Sequence, residues 1–246
     1  ASVTTLSPVL VWTMAGLETI FLSLLLVLLI YNEWGEEPNR RWMSPFLMLM
    51  IAFTRPEGLV VFPIWLAYRL LCGHASARFP GWEVFVLCIG YSLFLFCRWS
   101  TYGYLLPNTA YVKLGPGFET TLDAAKWLLA FLALRPAFAF PLVLGVVIAV
   151  RRGIDESQSM ILPLSTVAGF VGFVLISGRD WMPHHRFIAP VVPLMALFVA
   201  LALDAFDRPL LRMSMAVVVV IAIGFELAMA WTLYRPLTLG FGRFTE

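Results

Sequence analysis

Apolar residues dominate this chain in long runs, and charge is confined to short islands between them. The runs cover residues 16–31, 43–71, 82–96, 137–150, 160–176, 187–203 and 213–234. Among the runs that hold no charged residue are 160–176 and 187–203. Both approach the about 20 residues that a helix needs to cross a hydrocarbon core about 30 Å thick. The run 43–71 is interrupted by Thr54-Arg55-Pro56-Glu57-Gly58, and proline and glycine beside two charges do not continue a helix. Its first half, 43–53, extends only about 16 Å at 1.5 Å per residue. The pattern predicts an all-α fold, a polytopic transmembrane helical bundle of about eight membrane segments, two of them short. Residues 124–134 are also helix-like but stop at Arg135-Pro136, and are expected to lie along the interface. Non-helical backbone at membrane depth is tolerated only inside protein or along a watered cavity, so the break at 54–58 marks such a place.

Composition agrees with the pattern. Hydrophobic residues make up 61% of the 246 positions and charged residues only 13%, about half the roughly 25% of soluble domains, and the mean hydropathy is +0.86. A net charge of +2 without a basic run offers nothing to track a phosphate backbone, so nucleic acid is excluded as a partner and the bilayer is the expected one. Cys72, Cys88 and Cys97 lie in or beside apolar runs and read as small core hydrophobes, with neither metal-ligand nor disulfide spacing. No soluble domain, repeat or low-complexity linker divides the chain, and residues 1–246 read as a single transmembrane domain. It begins at Ala1 and its first basic residue is Arg40, so it lacks the charged n-region of a signal peptide and is expected to be a fragment of a longer protein.

The richest polar island is Gly178-Arg179-Asp180-Trp181-Met182-Pro183-His184-His185-Arg186. It sets a carboxylate, two imidazoles and two guanidiniums between charge-free runs, and charge so close to lipid is by default a functional-site hypothesis. Adjacent histidines on a helix point about 100° apart, which suits hydrogen bonding to a phosphate or a sugar hydroxyl better than metal ligation. No cofactor is called for, and whether a divalent metal is needed stays open. A second island, Tyr102 to Lys113, combines Tyr102, Asn108 and Lys113. It reads equally as a ligand loop or as an aromatic belt with a snorkelling lysine. Arg55 and Glu57 serve a site or neutralise each other across the break, and Glu18 faces a site or complements a helix N-terminus.

Sidedness ties these islands together if the two halves of 43–71 form a tight helical pair that returns to its starting side. Glu18, Arg55 and Glu57, the loop 98–126 and the island 178–186 then share one face. The other face carries Arg40, Arg41, Arg69, Arg78, Arg151, Arg152, Arg208 and Arg212. Paired basic residues in short loops mark the cytoplasmic side, which makes the polar islands extracytoplasmic. A single kinked helix over 43–71 would instead split the islands between faces.

The series Ala15-Gly16-Leu17-Glu18-Thr19, Thr54-Arg55-Pro56-Glu57-Gly58, Tyr102 to Thr109 with Lys113, and Gly178 to Pro183 with Arg186-Phe187 resembles the bacterial polytopic glycosyltransferases of the GT-C superfamily. It is most similar to the branch of mycobacterial cell-wall arabinofuranosyltransferases. The resemblance implies a multi-pass enzyme of the bacterial cytoplasmic (inner) membrane with an extracytoplasmic active face. Such an enzyme moves a sugar from a polyprenyl-phosphate donor to a cell-envelope glycan, lipid or protein acceptor. It further implies an essential carboxylate in a first extracytoplasmic loop to which nothing here corresponds, so this chain is expected to retain donor-side residues and to be inactive alone. Where relatives carry Gly-Gly-Asp, this chain has Gly178-Arg179-Asp180.

A lipid-linked donor keeps its tail in the bilayer and its phosphate at the interface, so cations are expected at headgroup level; Arg55, Lys113, Arg179 and Arg186 are the candidates. Displacement at the anomeric carbon passes through an oxocarbenium-like state and requires a base for the acceptor hydroxyl. Asp180 is the catalytic candidate here, and Glu18, Arg55, Glu57, Tyr102, Asn108, Lys113, Arg179, His184, His185 and Arg186 are the substrate-binding ones. The same residue types also fit a polytopic transporter or lipid flippase, or a noncatalytic membrane subunit.

Overall fold

The computed structural model describes residues 18–34, 42–72, 80–105, 118–134, 158–178 and 187–194, with isolated helical positions within 139–147, 197–198 and 213–221. Every regular element among the described residues is helical. The helices are α1 (Thr19–Trp34), α2 (Met43–Thr54), α3 (Val61–Cys72), α4 (Gly81–Tyr102), α5 (Phe118–Leu134) and α6 (Gln158–Ser177), with 3-10 turns at Pro56–Val60 and Ala189–Val191. Two are long and apolar enough to cross a membrane, α4 and the stretch Met160–Ser177 of α6, whereas α1 and α2 are shorter apolar helices.

Helix α1 buries Leu22, Leu25, Leu26, Leu29 and Ile30, the i, i+3, i+4, i+7 set of one helical face. It packs against α2, whose Leu47, Met48 and Ile51 are buried, and against the turn Ala189–Val191. The opposite side of α1 is apolar too, with Phe21, Leu24, Leu28 and Tyr31 exposed, and a helix apolar all round belongs in a large core or in lipid. Helix α6 joins the core through Leu162, Val167, Phe170 and Val174 and packs on α3 and α5.

The segment 43–71 forms the hairpin on which the sidedness argument depends. Glu33, at the end of α1, receives hydrogen bonds from Ser44 at the start of α2 and from Trp65 in α3, and pairs with Arg69 in the last turn of α3. The outer ends of α2 and α3 therefore meet at one side chain. Helix α4 runs parallel to α2, because Leu49 abuts Gly90 and Phe53 stacks on Phe94 at 4.8 Å between ring centroids. With Phe53 level with Phe94, α4 continues for about 10 Å past the end of α2 at 1.5 Å per residue.

Two boundaries and the exposure of two cysteines differ from the sequence reading. Helix α4 does not stop at residue 96 but runs through Arg98 to Tyr102, ending where the Gly103 N–H turns back onto the Trp99 carbonyl at 2.8 Å. The Arg98 guanidinium lies 5.5 Å over the Tyr102 ring, so the charge is carried along the helix surface and need not end the helix. Helix α5 starts at Phe118 and lies along α6, burying Ala124, Leu128 and Phe131. The cysteines are free, and Cys88 and Cys97 are exposed on α4 instead of buried in a core. Segments expected at 137–150 and 213–234 lie largely outside the described residues.

Candidate functional site

The break between α2 and α3 builds the site. Pro56 disfavours helical backbone at the residue before it, and Arg55 is extended at φ −153 and ψ 143. Thr54 Oγ1 donates to the Met50 carbonyl at 2.6 Å and closes the last turn of α2. The chain then folds back as a 3-10 turn in which the Gly58 N–H donates to the Arg55 carbonyl at 2.9 Å. Only glycine permits this return, because a Cβ at position 58 would stand 2.5 Å from the Ile51 carbonyl oxygen. The fold-back aims the Arg55 side chain inward, where it is 4% exposed.

Among the described residues, three polar side chains converge on that guanidinium. Nη2 is 2.6 Å from Glu57 Oε1, Nε is 3.6 Å from Glu18 Oε1, and Nη1 donates to Thr19 Oγ1 at 2.8 Å. The Phe187 ring covers it at 5.9 Å and meets Phe173 of α6 edge-on at 5.5 Å. Among these groups Glu57 is as buried as Arg55, while the Glu18 side chain is 44% exposed. The arrangement is an inner ion pair that presents an outer carboxylate, since charge-assisted hydrogen bonds to Glu57 and Thr19 fix the planar guanidinium fork and Glu18 stands at ion-pair distance from it. Arg55, expected as a phosphate-binding cation, thus engages two carboxylates, and its pairing with Glu57 is one part of a larger cluster.

The other expected residues divide cleanly. Tyr102 lies at the end of α4 that overtops this cluster, and it is exposed. Gly178, buried and at φ 82, ends α6 one turn beyond Phe173, the left-handed helix cap that favours glycine. Asn108, Lys113, Arg179, Asp180, His184, His185 and Arg186 lie outside the described residues. The sequence reading left out Thr19 and Phe187 as partners of Arg55, although both stand inside the motifs it singled out.

It also left out a second cluster at the opposite ends of α1, α2 and α3. Glu33 Oε1 accepts from Ser44 Oγ at 2.5 Å and from Trp65 Nε1 at 2.9 Å, and Oε2 pairs with Arg69 Nε at 2.9 Å. Asn32 Nδ2 donates to Ser44 Oγ at 2.9 Å, and the Arg69 guanidinium lies 5.6 Å over the Trp65 ring. The available signal was the i, i+4 spacing of Trp65 and Arg69, which sets both on one face of α3. Thr19 and Glu33 are about 21 Å apart along α1. No family model, curated protein or solved structure matches the chain.

Proposed function

We propose that the chain belongs to a multi-pass glycosyltransferase of the bacterial cytoplasmic membrane, which moves a sugar from a polyprenyl-phosphate donor to an extracytoplasmic acceptor. The observation that carries the proposal is the Arg55, Glu57, Glu18 and Thr19 cluster. It is a charged group recessed about 10 Å below the end of a membrane-length helix, built from two of the motifs on which the GT-C resemblance rests. Buried charge is expensive in a bilayer and is kept where a reaction or a transport path needs it. The hairpin of α2 and α3 supports the sidedness argument, because it returns Glu18, Arg55, Glu57 and the end of α4 to one face.

In this reading the acceptor hydroxyl oxygen bonds to the anomeric carbon, and the bond from that carbon to the phosphate oxygen breaks, its electron pair leaving with the polyprenyl phosphate. The hydroxyl proton passes to a carboxylate. Glu18 and Asp180 are this chain's candidates, and either negative charge stabilises the cationic sugar as it forms. Arg55 acts through Glu18 and Glu57 as a positioning residue. Donor phosphate falls to Lys113, Arg179 and Arg186 in this reading, which assigns contacts with sugar or headgroup to Tyr102, Asn108, His184 and His185.

The test is turnover by the full-length protein, reconstituted with a panel of polyprenyl-phosphate sugars and read as released polyprenyl phosphate. At least one donor is consumed, and Asp180→Asn or Glu18→Gln lowers its turnover while the protein stays folded. Full activity in both variants refutes the assignment of the base to this chain. Movement of intact lipid across the bilayer without cleavage refutes the transferase in favour of a flippase.

A further inference from the structure

We propose that Glu33 fixes the register of α1 on the hairpin of α2 and α3, and so acts as a positioning residue for the Arg55 cluster about 21 Å away, whatever chemistry that cluster serves. The packing face of α1 does not specify its own register. That face is Leu22, Leu25, Leu26, Leu29 and Ile30. A shift by one turn sets Leu26 where Leu22 was, Leu29 where Leu25 was and Ile30 where Leu26 was. Ser23 likewise takes the place of Thr19, so a hydroxyl again meets Arg55, while Leu22 takes the place of Glu18. Such a slip moves the helix by about 5.4 Å. It forfeits little apolar packing, because a leucine face in lipid gains only contact and fit from its neighbour, but it withdraws the carboxylate from the site.

The two ends of α1 resist the slip unequally. At the Arg55 end the ties are the Thr19 hydroxyl at 2.8 Å and Glu18 at 3.6 Å, and the Glu18 side chain is 44% exposed, so water screens its charge. The Arg55–Glu57 pair lies within the hairpin and is untouched by the shift. At the other end the Glu33 side chain is 2% exposed. It accepts from Ser44 of α2 and Trp65 of α3 and pairs with Arg69 of α3, while Asn32 donates to the same Ser44. Glu33 is the sole carboxylate within α1, so no shifted register rebuilds these bonds from that helix. A buried polar group whose partners exist in one register only is the best-attested means of specifying register.

Cross-linking reads the register directly. The Asn32–Ser44 and Thr19–Arg55 bonds hold the two ends of an antiparallel contact, which sets Leu26 level with Met48 and puts Leu22 and Ile30 a turn to either side. In the full-length protein, with Cys72, Cys88 and Cys97 replaced by alanine, Met48→Cys is combined in turn with Leu22→Cys, Leu26→Cys and Ile30→Cys. Disulfide formation under copper-phenanthroline in proteoliposomes is followed by mass spectrometry. The Leu26 pair reacts fastest when Glu33 and Arg69 are present. Replacing both by leucine removes the lock without stranding a charge. The rate of the Leu22 or Ile30 pair relative to the Leu26 pair then rises about tenfold or more, as the loss of charge-assisted bonds requires. The double variant Arg55→Met, Glu57→Met, altered at the other end, keeps the original pattern. Should the leucine variant fail to fold, Glu33→Gln, which preserves shape, decides by the same ratio. An unchanged ratio in the folded leucine or glutamine variant overturns the proposal. A slip in the Arg55→Met, Glu57→Met variant overturns it too, because the lock would then lie at Arg55.

Discussion

Replacing Arg55 by methionine tests the central cluster most directly, because it removes a buried charge while keeping much of the side-chain volume. Glu57, equally buried, then holds a carboxylate without its 2.6 Å partner. Removing one member of a buried ion pair costs about 3–5 kcal/mol, which lowers the folded-to-unfolded ratio by about two to more than three powers of ten. Glu18 adds little to this loss, since its side chain is 44% exposed and water screens what the guanidinium supplied. The double variant Arg55→Met, Glu57→Met removes both charges, and replacing a whole buried pair by apolar residues is often neutral. The expected pattern is a large loss of stability in the single variant and recovery of most of it in the double variant. Tryptophan fluorescence during thermal unfolding in detergent, or SDS titration where free energies are wanted, measures both. Donor turnover stays low in the two variants alike, because neither orients Glu18, so stability and function part company in the double variant. A single variant as stable as the parent protein would refute the reasoning, for it would mean that Glu57 is compensated by something other than Arg55.

Gly58→Ala sets a Cβ against the Ile51 carbonyl oxygen, which belongs to the backbone and cannot rotate aside. It is expected to cost about 1–3 kcal/mol in SDS titration, and unchanged stability would show that the turn has room. Glu33→Gln removes the charged partner of Arg69 and weakens the bonds from Ser44 and Trp65. About 1.5–3 kcal/mol is expected for charged hydrogen bonds, and a shift within error would show the clamp to be dispensable. Sidedness is checked with an impermeant maleimide on intact cells. Tyr104→Cys should label from outside and Cys72 only after permeabilisation, and equal labelling of the two from outside would sink the topology.

Local features of the site were legible in the sequence and distant ones were not. Thr54 to Gly58 announces a helix break, and the two-residue spacing of Arg55 and Glu57 allows them to pair. Thr19 and Glu18 join them only because α1 and α2 pack antiparallel, which brings Thr19 to Arg55 from 36 residues away in sequence, and hydropathy carries no signal for that. The same blindness hid the Glu33 cluster, whose members come from three helices and whose carboxylate sits in a stretch that reads as a polar linker. Arg98 misled in the opposite sense. Charge reads as the end of a span, whereas an arginine one turn from an aromatic ring can lie along it and let the helix run on.

That continuation of α4 is what gives the Arg55 cluster its setting. If α4 ended at residue 96, it would finish level with the charged turn and leave Arg55 at the rim of the bundle. Running to Tyr102, it stands about 10 Å proud of α2 at this end, against about 5 Å at the end where α2 begins. The helices that carry the charges are thus short at the end where Glu18 is exposed, and the longer α4 walls the depression. Glu33 and Arg69 tie the opposite end with both side chains largely buried, so α1, α2 and α3 are pinned there. A substrate path through the middle of the bundle would call for an opening past each cluster. Among the described residues one end of the helices exposes the Glu18 carboxylate and the other holds its charges buried, and this asymmetry is what favours the proposed transfer over transport.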